Sequence, residues 1–330
     1  MDFSPGINIF IGANGTGKTH ILKVLYAACD ITKTKLGFAD KINRVFLPSQ
    51  RKIGRLVNRK VGSGKASIEV YRGDNLKIGC DFSVYKELPT NDLDKWAENW
   101  RSYEIDSAYI PVKEMLANAP GFLSLYAERL IHFEEVYNDI INRANRPIAR
   151  GRPSPIRSKY INSLQKIIDG RVIPRNFEYF LKTKAGKEKA ELEFTLLAEG
   201  MRKLALLLLL IKNDTLVDGS ILFWDEPEAN LNPSMKKVVI DLLLKLQRDG
   251  VQIFIATHDY IVLKEFDLLR QTKDKIRFFA LYHDKENKIQ YNSTDDFLMI
   301  EPNLIQETFL DIYDRDIERA LKSIAGGDKE

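Results

Sequence analysis

Residues 12–19 read GANGTGKT, a glycine-rich loop of the form G-x-x-x-x-G-K-[ST], and residues 221–233 read ILFWDEPEANLNP, an apolar run that ends in paired acids. Together they constrain the fold more than any other feature of the chain. The loop follows an apolar run (Ile7, Ile9, Phe10, Ile11) and precedes one with helical spacing (Ile21, Leu22, Val24, Leu25), so it sits in a strand–loop–helix unit. Leu222, Phe223 and Trp224 lead without a break into Asp225 and Glu226, and residues 253–258, IFIATH, form a second such run. Unbroken apolar runs belong to strands covered on both faces, as in the mainly parallel sheets of α/β proteins. Acids and a histidine at the ends of such strands fall on the carboxyl edge of the sheet, where open α/β sheets bind ligands.

The loop's residue types suit phosphate, which needs many donors and no steric obstruction. Glycines at 12, 15 and 17 let the backbone pass close to an anion in conformations that a Cβ forbids. The N–H groups then point inward, and the positive end of the following helix faces the charge. Lys18 would reach the β- and γ-phosphates, and the Thr19 hydroxyl would be a ligand for Mg²⁺. With Asn14 and Thr16, residues Gly12, Gly15, Gly17, Lys18 and Thr19 are the candidate contacts to ATP or GTP. Asp225 would hold the Mg²⁺, directly or through water. Glu226 would act as general base on the attacking water, and His258 would contact the γ-phosphate. Asp225 and Glu226 also suit the capping of a helix that begins near Pro227, and the two roles are compatible. The pattern implies binding of a nucleoside triphosphate and its hydrolysis.

With 330 residues, 44% of them apolar, the chain has core enough for one large α/β domain or two smaller ones. Cys29 and Cys80 offer neither a disulfide framework nor a metal spacing, which fits a reducing cytosol. The first strand begins almost at once, so no signal peptide is expected. The longest apolar run, residues 204–211, is far too short to cross a bilayer. A cytoplasmic protein with no membrane partner is expected. The net charge of +4 is unevenly spread. Residues 41–65 carry eight basic side chains and no acidic one, and residues 143–189 carry thirteen against three. Such blocks suit a nucleic-acid backbone. They suit solvated loops or an acidic protein partner equally well.

Further along, residues 1–50 read as strand, loop, helix and a second strand at Val45, Phe46 and Leu47. Residues 66–85 alternate around Arg72-Gly73-Asp74-Asn75 as a hairpin. A surface loop with one helix around Trp96 and Trp100 follows. Beyond Val112 the pattern turns helical, broken at Pro120-Gly121, with Phe133, Val136, Tyr137 and Ile140 on one face. RPIARGRPSP at residues 146–155 cannot be regular throughout. A helix at 156–169, a hairpin around Ala185-Gly186 and a long helix at 202–211 lead to the acidic strand. After His258 come a helix, a strand at 277–282 with a hairpin partner at 289–291, and an amphipathic tail helix at 304–324. Its apolar side chains Phe309, Ile312, Tyr313, Ile317 and Leu321 could pack on this domain or on a partner.

The loop, DEPEANLNP and a strand ending in Thr257-His258-Asp259 together resemble the ABC-type ATPases of the SMC, RecF and OLD-like class, the bacterial "AAA family ATPases". The resemblance spans essentially the whole chain. It implies an α/β ABC-ATPase head with a mainly parallel P-loop sheet, a flanking antiparallel β-layer and a short inserted helical lobe. The head would comprise residues 1–111 and 190–300, the lobe 112–189 and a helical tail 301–330. Such heads close two ATPs between two chains, and each site is completed by a partner's signature segment, normally LSGGQ. The matching residues here are Leu197, Ala198, Glu199, Gly200 and Met201. Ala198 replaces the serine, so slow hydrolysis is expected. Asn232 stands at the dimer-contacting aspartate's position. The Q-loop falls at Lys113 and Glu114, with Gln50 the weaker alternative.

By resemblance, the function is an ATP-dependent homodimeric or larger switch. It would govern a separately encoded nuclease or toxin, as the ATPase subunits of anti-phage systems do. A RecF-like ATPase of DNA repair and an ATP-dependent scaffold that sequesters a toxin are the alternatives. The four histidines are scattered, and no acidic Toprim-like segment follows the core, so the chain is not expected to be a nuclease itself.

Overall fold

The computed structural model of the chain describes residues 1–58, 64–90, 93–183 and 190–326. In chain order the strands are β1 (Ile7–Gly12), β2 (Lys65–Arg72), β3 (Leu76–Ser83), β4 (Asp94–Lys95), β5 (Ser107–Ile110), β6 (Gly170–Arg175), β7 (Glu178–Thr183), β8 (Glu191–Glu193), β9 (Ile221–Asp225), β10 (Gln252–Ala256), β11 (Ile276–His283) and β12 (Ile289–Thr294). The helices are α1 (Lys18–Asp30), α2 (Phe38–Phe46), α3 (Ala97–Trp100), α4 (Phe122–Ala127), α5 (Glu135–Ala144), α6 (Pro155–Ile167), α7 (Glu199–Lys212), α8 (Pro233–Arg248), α9 (Tyr260–Leu269) and α10 (Leu304–Gly326).

The central sheet runs β12-β11-β1-β10-β9-β5. Its strands are parallel except β12, which pairs antiparallel with β11. Ile7 stands beside Ile253 and Ile276, Ile253 beside Leu222, and Leu222 beside Ala108. This register sends Ile7, Ile9, Ile253, Ile255, Leu222 and Trp224 into one core. It sends Phe10, Phe223, Phe254 and Phe279 into the other, where neighbouring rings stack 5.1–6.5 Å apart. Helix α1 covers the aromatic face with Leu22, Leu25 and Tyr26. Helices α7, α8 and α9 cover the opposite face with Leu204, Leu208, Leu243 and Leu263. Both faces are buried, which is why these strands lack a polar alternation.

Two antiparallel sheets flank the centre, β2-β3-β4 and β6-β7-β8. The first contains the expected hairpin at residues 66–85. The segment at residues 112–189 is helical through α4, α5 and α6, and then adds β6, which was not expected from sequence, paired with β7. Their turn is Asn176-Phe177, both with positive φ (51° and 65°), the conformation of a tight two-residue hairpin. The turn expected at Ala185-Gly186 lies outside the described residues, but β7 and β8 on either side of it do pair. Residues 45–47 are not a strand. They end α2, whose Phe38, Ala39, Ile42 and Val45 are buried on one face. Both carboxylate oxygens of Asp94 accept from the Phe38 and Ala39 amides at 2.8 Å, capping that helix from β4.

The basic blocks are in part internal. Lys41, its side chain 1% exposed, meets Asp30 and Asp139 at 2.6 Å and Glu135 at 3.0 Å. Arg143, also buried, pairs with Asp30. Burial alone would lower the Lys41 pKa, but Asp139, Asp30 and Glu135 outweigh it and raise it. Lys23 adds a bridge from α1 to Glu134 at 2.6 Å, and the Tyr26 hydroxyl donates to Asp139 at 2.6 Å. The network therefore ties α1 and α2 to α5. Arg44 pairs with Asp40 and Glu135, and Arg157 with Asp214. Arg59, Lys60, Lys184, Lys187 and Lys189 lie outside the described residues. Replacing Lys41 by alanine removes the cation that Asp30, Glu135 and Asp139 share and leaves them Arg143, Arg44 and the Tyr26 hydroxyl as partners. A loss of about 3 kcal/mol, the low end for breaking a buried ion pair, is therefore expected. A denaturant midpoint that stays put at unchanged slope would refute this.

The tail helix α10 packs lightly on α9, with Phe309 stacked on Tyr260 at 4.3 Å. Phe309, Ile312, Tyr313, Ile317 and Leu321 remain 44–61% exposed.

Candidate functional site

The glycine loop runs from the end of β1 into α1. A Cβ on Gly12 (φ 142°) would run into the Leu281 carbonyl of β11, so the close approach of these strands requires glycine there. Gly17, in the left-handed region at φ 90°, is the N-cap of α1. Between them the Thr16 hydroxyl donates to the Ala13 carbonyl at 2.8 Å and braces the turn. The first turn of α1 leaves amides without intrahelical partners, a ready site for an anion. Lys18 is buried, and its ammonium donates to the Gly12 and Ala13 carbonyls at 2.8 and 3.1 Å. Burial lowers its pKa, against the opposing pull of Glu226, Asp225 and Glu228.

Sheet pairing brings β9 and β10 to the same edge. The Thr19 hydroxyl donates to Asp225 Oδ1 at 3.1 Å, across 206 residues of sequence. The Tyr109 hydroxyl, from β5, donates to the other oxygen at 3.2 Å. Burial pushes the Asp225 carboxyl pKa up, while the Thr19 and Tyr109 hydroxyls pull it down. A hydroxyl and a carboxylate beside a phosphate-shaped loop are hard oxygen donors of the kind Mg²⁺ takes, with its remaining positions filled by water and phosphate. These residues therefore fit that ion. Among the described residues no cluster of three His, Cys, Asp or Glu could hold a metal by itself.

Glu226 follows in the left-handed region (φ 48°), with its amide bonded to the Ala256 carbonyl at 2.9 Å. This turn aims its carboxylate at His258, whose Nδ1 lies 3.3 Å from Glu226 Oε1 and 4.0 Å from Glu228 Oε1. Both side chains of the Glu226–His258 pair are partly open to solvent. Glu228 is buried, and its Oε1 accepts from the Thr257 hydroxyl at 2.6 Å and the His258 amide at 3.3 Å. Glu228, Thr257 and Tyr109 belong to this site and were not among the residues singled out from sequence. The third acid of DEPE and the threonine before His258 were the available signals.

Ala198 is the N-cap of α7 and makes no side-chain capping bond. Glu199 accepts from the Asn230 amide group at 2.8 Å, and a Cβ on Gly200 would fall 2.9 Å from Leu231 and 3.0 Å from the Asn230 carbonyl. Lys203 donates to the Ala229 carbonyl at 2.8 Å. The start of α7 is thus stitched to the turn after Glu226. No hydrogen bond or ion pair of the described residues joins Ala198, Glu199 or Gly200 to residues 12–19. Asn232 caps α8 by accepting from the Ser234 amide at 3.1 Å. Glu114 is buried, paired with Arg202 at 3.1 Å and bonded to the Leu116 amide, while Lys113 and Gln50 are exposed.

A glycine loop on a mainly parallel α/β sheet, with a lysine, two hydroxyls, two acids and a histidine converging at the carboxyl edge, defines a P-loop nucleotide-binding protein. The chain belongs to the ATPase family described as "AAA domain, putative AbiEii toxin, Type IV TA system", whose sequence model matches residues 85–264, just over half of it. The match takes in Asp225, Glu226 and His258. The cell division ATP-binding protein FtsE of Mycobacterium tuberculosis is 30% identical over 69 residues, which cover 21% of this chain and 29% of that protein. Among solved structures, the Smc head domain of Pyrococcus furiosus, bound to the C-terminal domain of ScpA, is 14% identical with a TM-score of 0.49, covering 89% of this chain and 91% of that one. The SMC head domain of Thermotoga maritima is 12% identical with a TM-score of 0.45, covering 89% and 92%. Among the described residues no helix is long and apolar enough to cross a membrane.

Proposed function

We propose that the protein binds and hydrolyses ATP with Mg²⁺, pairs with a second copy around the nucleotide, and acts as a cytoplasmic switch for a separate effector in anti-phage defence. The observation that carries the ATP part of this reading is the convergence of Lys18, Thr19, Asp225, Glu226 and His258 at one edge of the sheet. The pairing, the effector and the anti-phage role follow from the resemblance of these motifs to ABC-type ATPases. The loop amides and Lys18 bind and orient the phosphates. Thr19 and Asp225 would hold Mg²⁺, which supplies charge neutralisation at the phosphate oxygens. Glu226 takes the proton of the attacking water, and His258, steadied through Nδ1 by Glu226, keeps Nε2 for the terminal phosphate.

Residues 198–200 complete the partner's site in this reading. Ala198 offers no hydroxyl, so turnover is slow and suits a switch. The effector would be a nuclease or a toxin. The test is phosphate release measured against protein concentration, alongside mass by light scattering with MgATP. Turnover per chain that rises as the mass doubles is expected. Turnover independent of concentration in a monomer would overturn the pairing, and absence of release would overturn hydrolysis.

Exposed Arg150, Arg152, Lys159, Lys166, Arg171 and Arg175 favour a second reading, a RecF-like ATPase that contacts DNA. That reading requires DNA affinity that falls steeply with salt.

A further inference from the structure

Glu228 presents a problem that the hydrolytic residues leave unsolved. It is a carboxylate 7% exposed, yet only one of its oxygens is engaged. Oε1 accepts both the Thr257 hydroxyl and the His258 amide, and Oε2 has no hydrogen-bond partner among the described residues. Burial pushes its pKa up, while the Thr257 hydroxyl pulls the other way. An idle oxygen on a buried acid is costly, and a side chain kept only for packing would be apolar. The engaged oxygen sits on Thr257 and His258, the two residues that follow β10, the second of which carries the imidazole. It bridges two strand ends at the point where the chain after β9 turns back, two residues beyond Glu226 and its left-handed backbone.

We propose that Glu228 is a positioning residue for hydrolysis: by fixing the Thr257 hydroxyl and the His258 amide, it sets the imidazole against the Glu226 carboxylate. This rests on the reading of Glu226 and His258 as hydrolytic residues. Glu228 touches neither phosphate nor water in this role. It acts through His258, and without it the end of β10 loses the acceptor that fixes the backbone next to the imidazole. Displacement of a catalytic group by about 1 Å costs on the order of 100-fold in rate.

The test compares Glu228→Met, which keeps length without an acceptor, Glu228→Ala, and Glu228→Gln, which retains an oxygen for Thr257 and His258. Each is made in the parent and in a His258→Ala background, and each is assayed for ATP affinity and for kcat. In the parent background, Met and Ala are expected to lower kcat by about 10- to 100-fold with ATP affinity retained, and Gln to restore most of the rate. In the His258→Ala background the same changes should cost nothing further, because residues acting through one group are not additive. Equal losses in both backgrounds overturn the proposal while leaving the hydrolytic reading intact. So does Gln behaving like Met, or ATP affinity falling in step with kcat. Parent-like turnover in His258→Ala overturns the assignment of His258 and this proposal together.

Discussion

Lys18→Ala loses nucleotide binding while the fold survives. The Lys18 ammonium lies on the Gly12 and Ala13 carbonyls at the mouth of the loop, with the negative charges of Glu226, Asp225 and Glu228 acting on it. Hydrogen bonds to charged groups contribute about 1.5–3 kcal/mol each. Two of them lost to a phosphate amount to about 3–6 kcal/mol, or roughly 150- to 20,000-fold in affinity. The deletion also leaves three acids beside an incoming polyanion with less to offset them, which pushes the loss in the same direction. Stability should change little, because the side chain lies at the edge of the sheet and its partners are loop carbonyls rather than buried acids. Lys41, enclosed by Asp30, Glu135 and Asp139, is the opposite case. Titration with a fluorescent ATP analogue, run beside a melting curve, checks both halves. An ATP affinity equal to the parent's would end the assignment of residues 12–19 as the phosphate loop.

What was legible in sequence was what is local. The loop could be read because glycine, lysine and threonine stand at fixed offsets. The strands β9 and β10 could be read because double-sided burial leaves long apolar runs, and β1 because only Asn8, whose side chain is satisfied by the Ser4 backbone, interrupts one. Misreadings arose where a distant partner decides. Val45, Phe46 and Leu47 look like a strand in isolation, but Asp94, nearly fifty positions on, caps α2 and commits this segment to a helix. Within the basic block at residues 41–65, Lys41 is internal because its neutralising acids come from α1 and α5. Nothing near Lys41 in sequence announces Asp30, Glu135 and Asp139 together. The β6–β7 turn uses Phe177 at positive φ, where an Asn-Gly pair would have announced it.

The same distinction applies within the site. Asp225, Glu226 and His258 could be placed because each ends an apolar strand. Tyr109 carries no local signal, since its hydroxyl meets Asp225 only through the pairing of β5 with β9. Glu228 and Thr257 are 29 residues apart and meet only because β9 and β10 are neighbours. Residues 197–201 were proposed as a signature segment by resemblance alone. Its contacts to residues 230 and 231, on the turn that follows Glu226, are a matter of packing that no local pattern encodes.

Glu226→Gln retains ATP and loses hydrolysis. The substitution keeps the length of the side chain and an oxygen that can face His258 Nδ1, so the geometry of the turn persists. It also leaves Lys18, Thr19 and Asp225 untouched, so ATP affinity should stay near the parent's. What goes is the proton acceptor for the attacking water, and general-base catalysis is worth about 100- to 10,000-fold. Phosphate release should fall by that factor. If two chains close around the nucleotide and hydrolysis is what reopens them, the variant should then accumulate as an ATP-bound pair or larger assembly. Light scattering with and without MgATP reads this directly. A mass unchanged by MgATP, in a chain that sediments as a monomer without it, means that the nucleotide does not join the heads. A doubled mass that persists until ATP is removed places the switch at Glu226, because the only change is the base that ends the bound state.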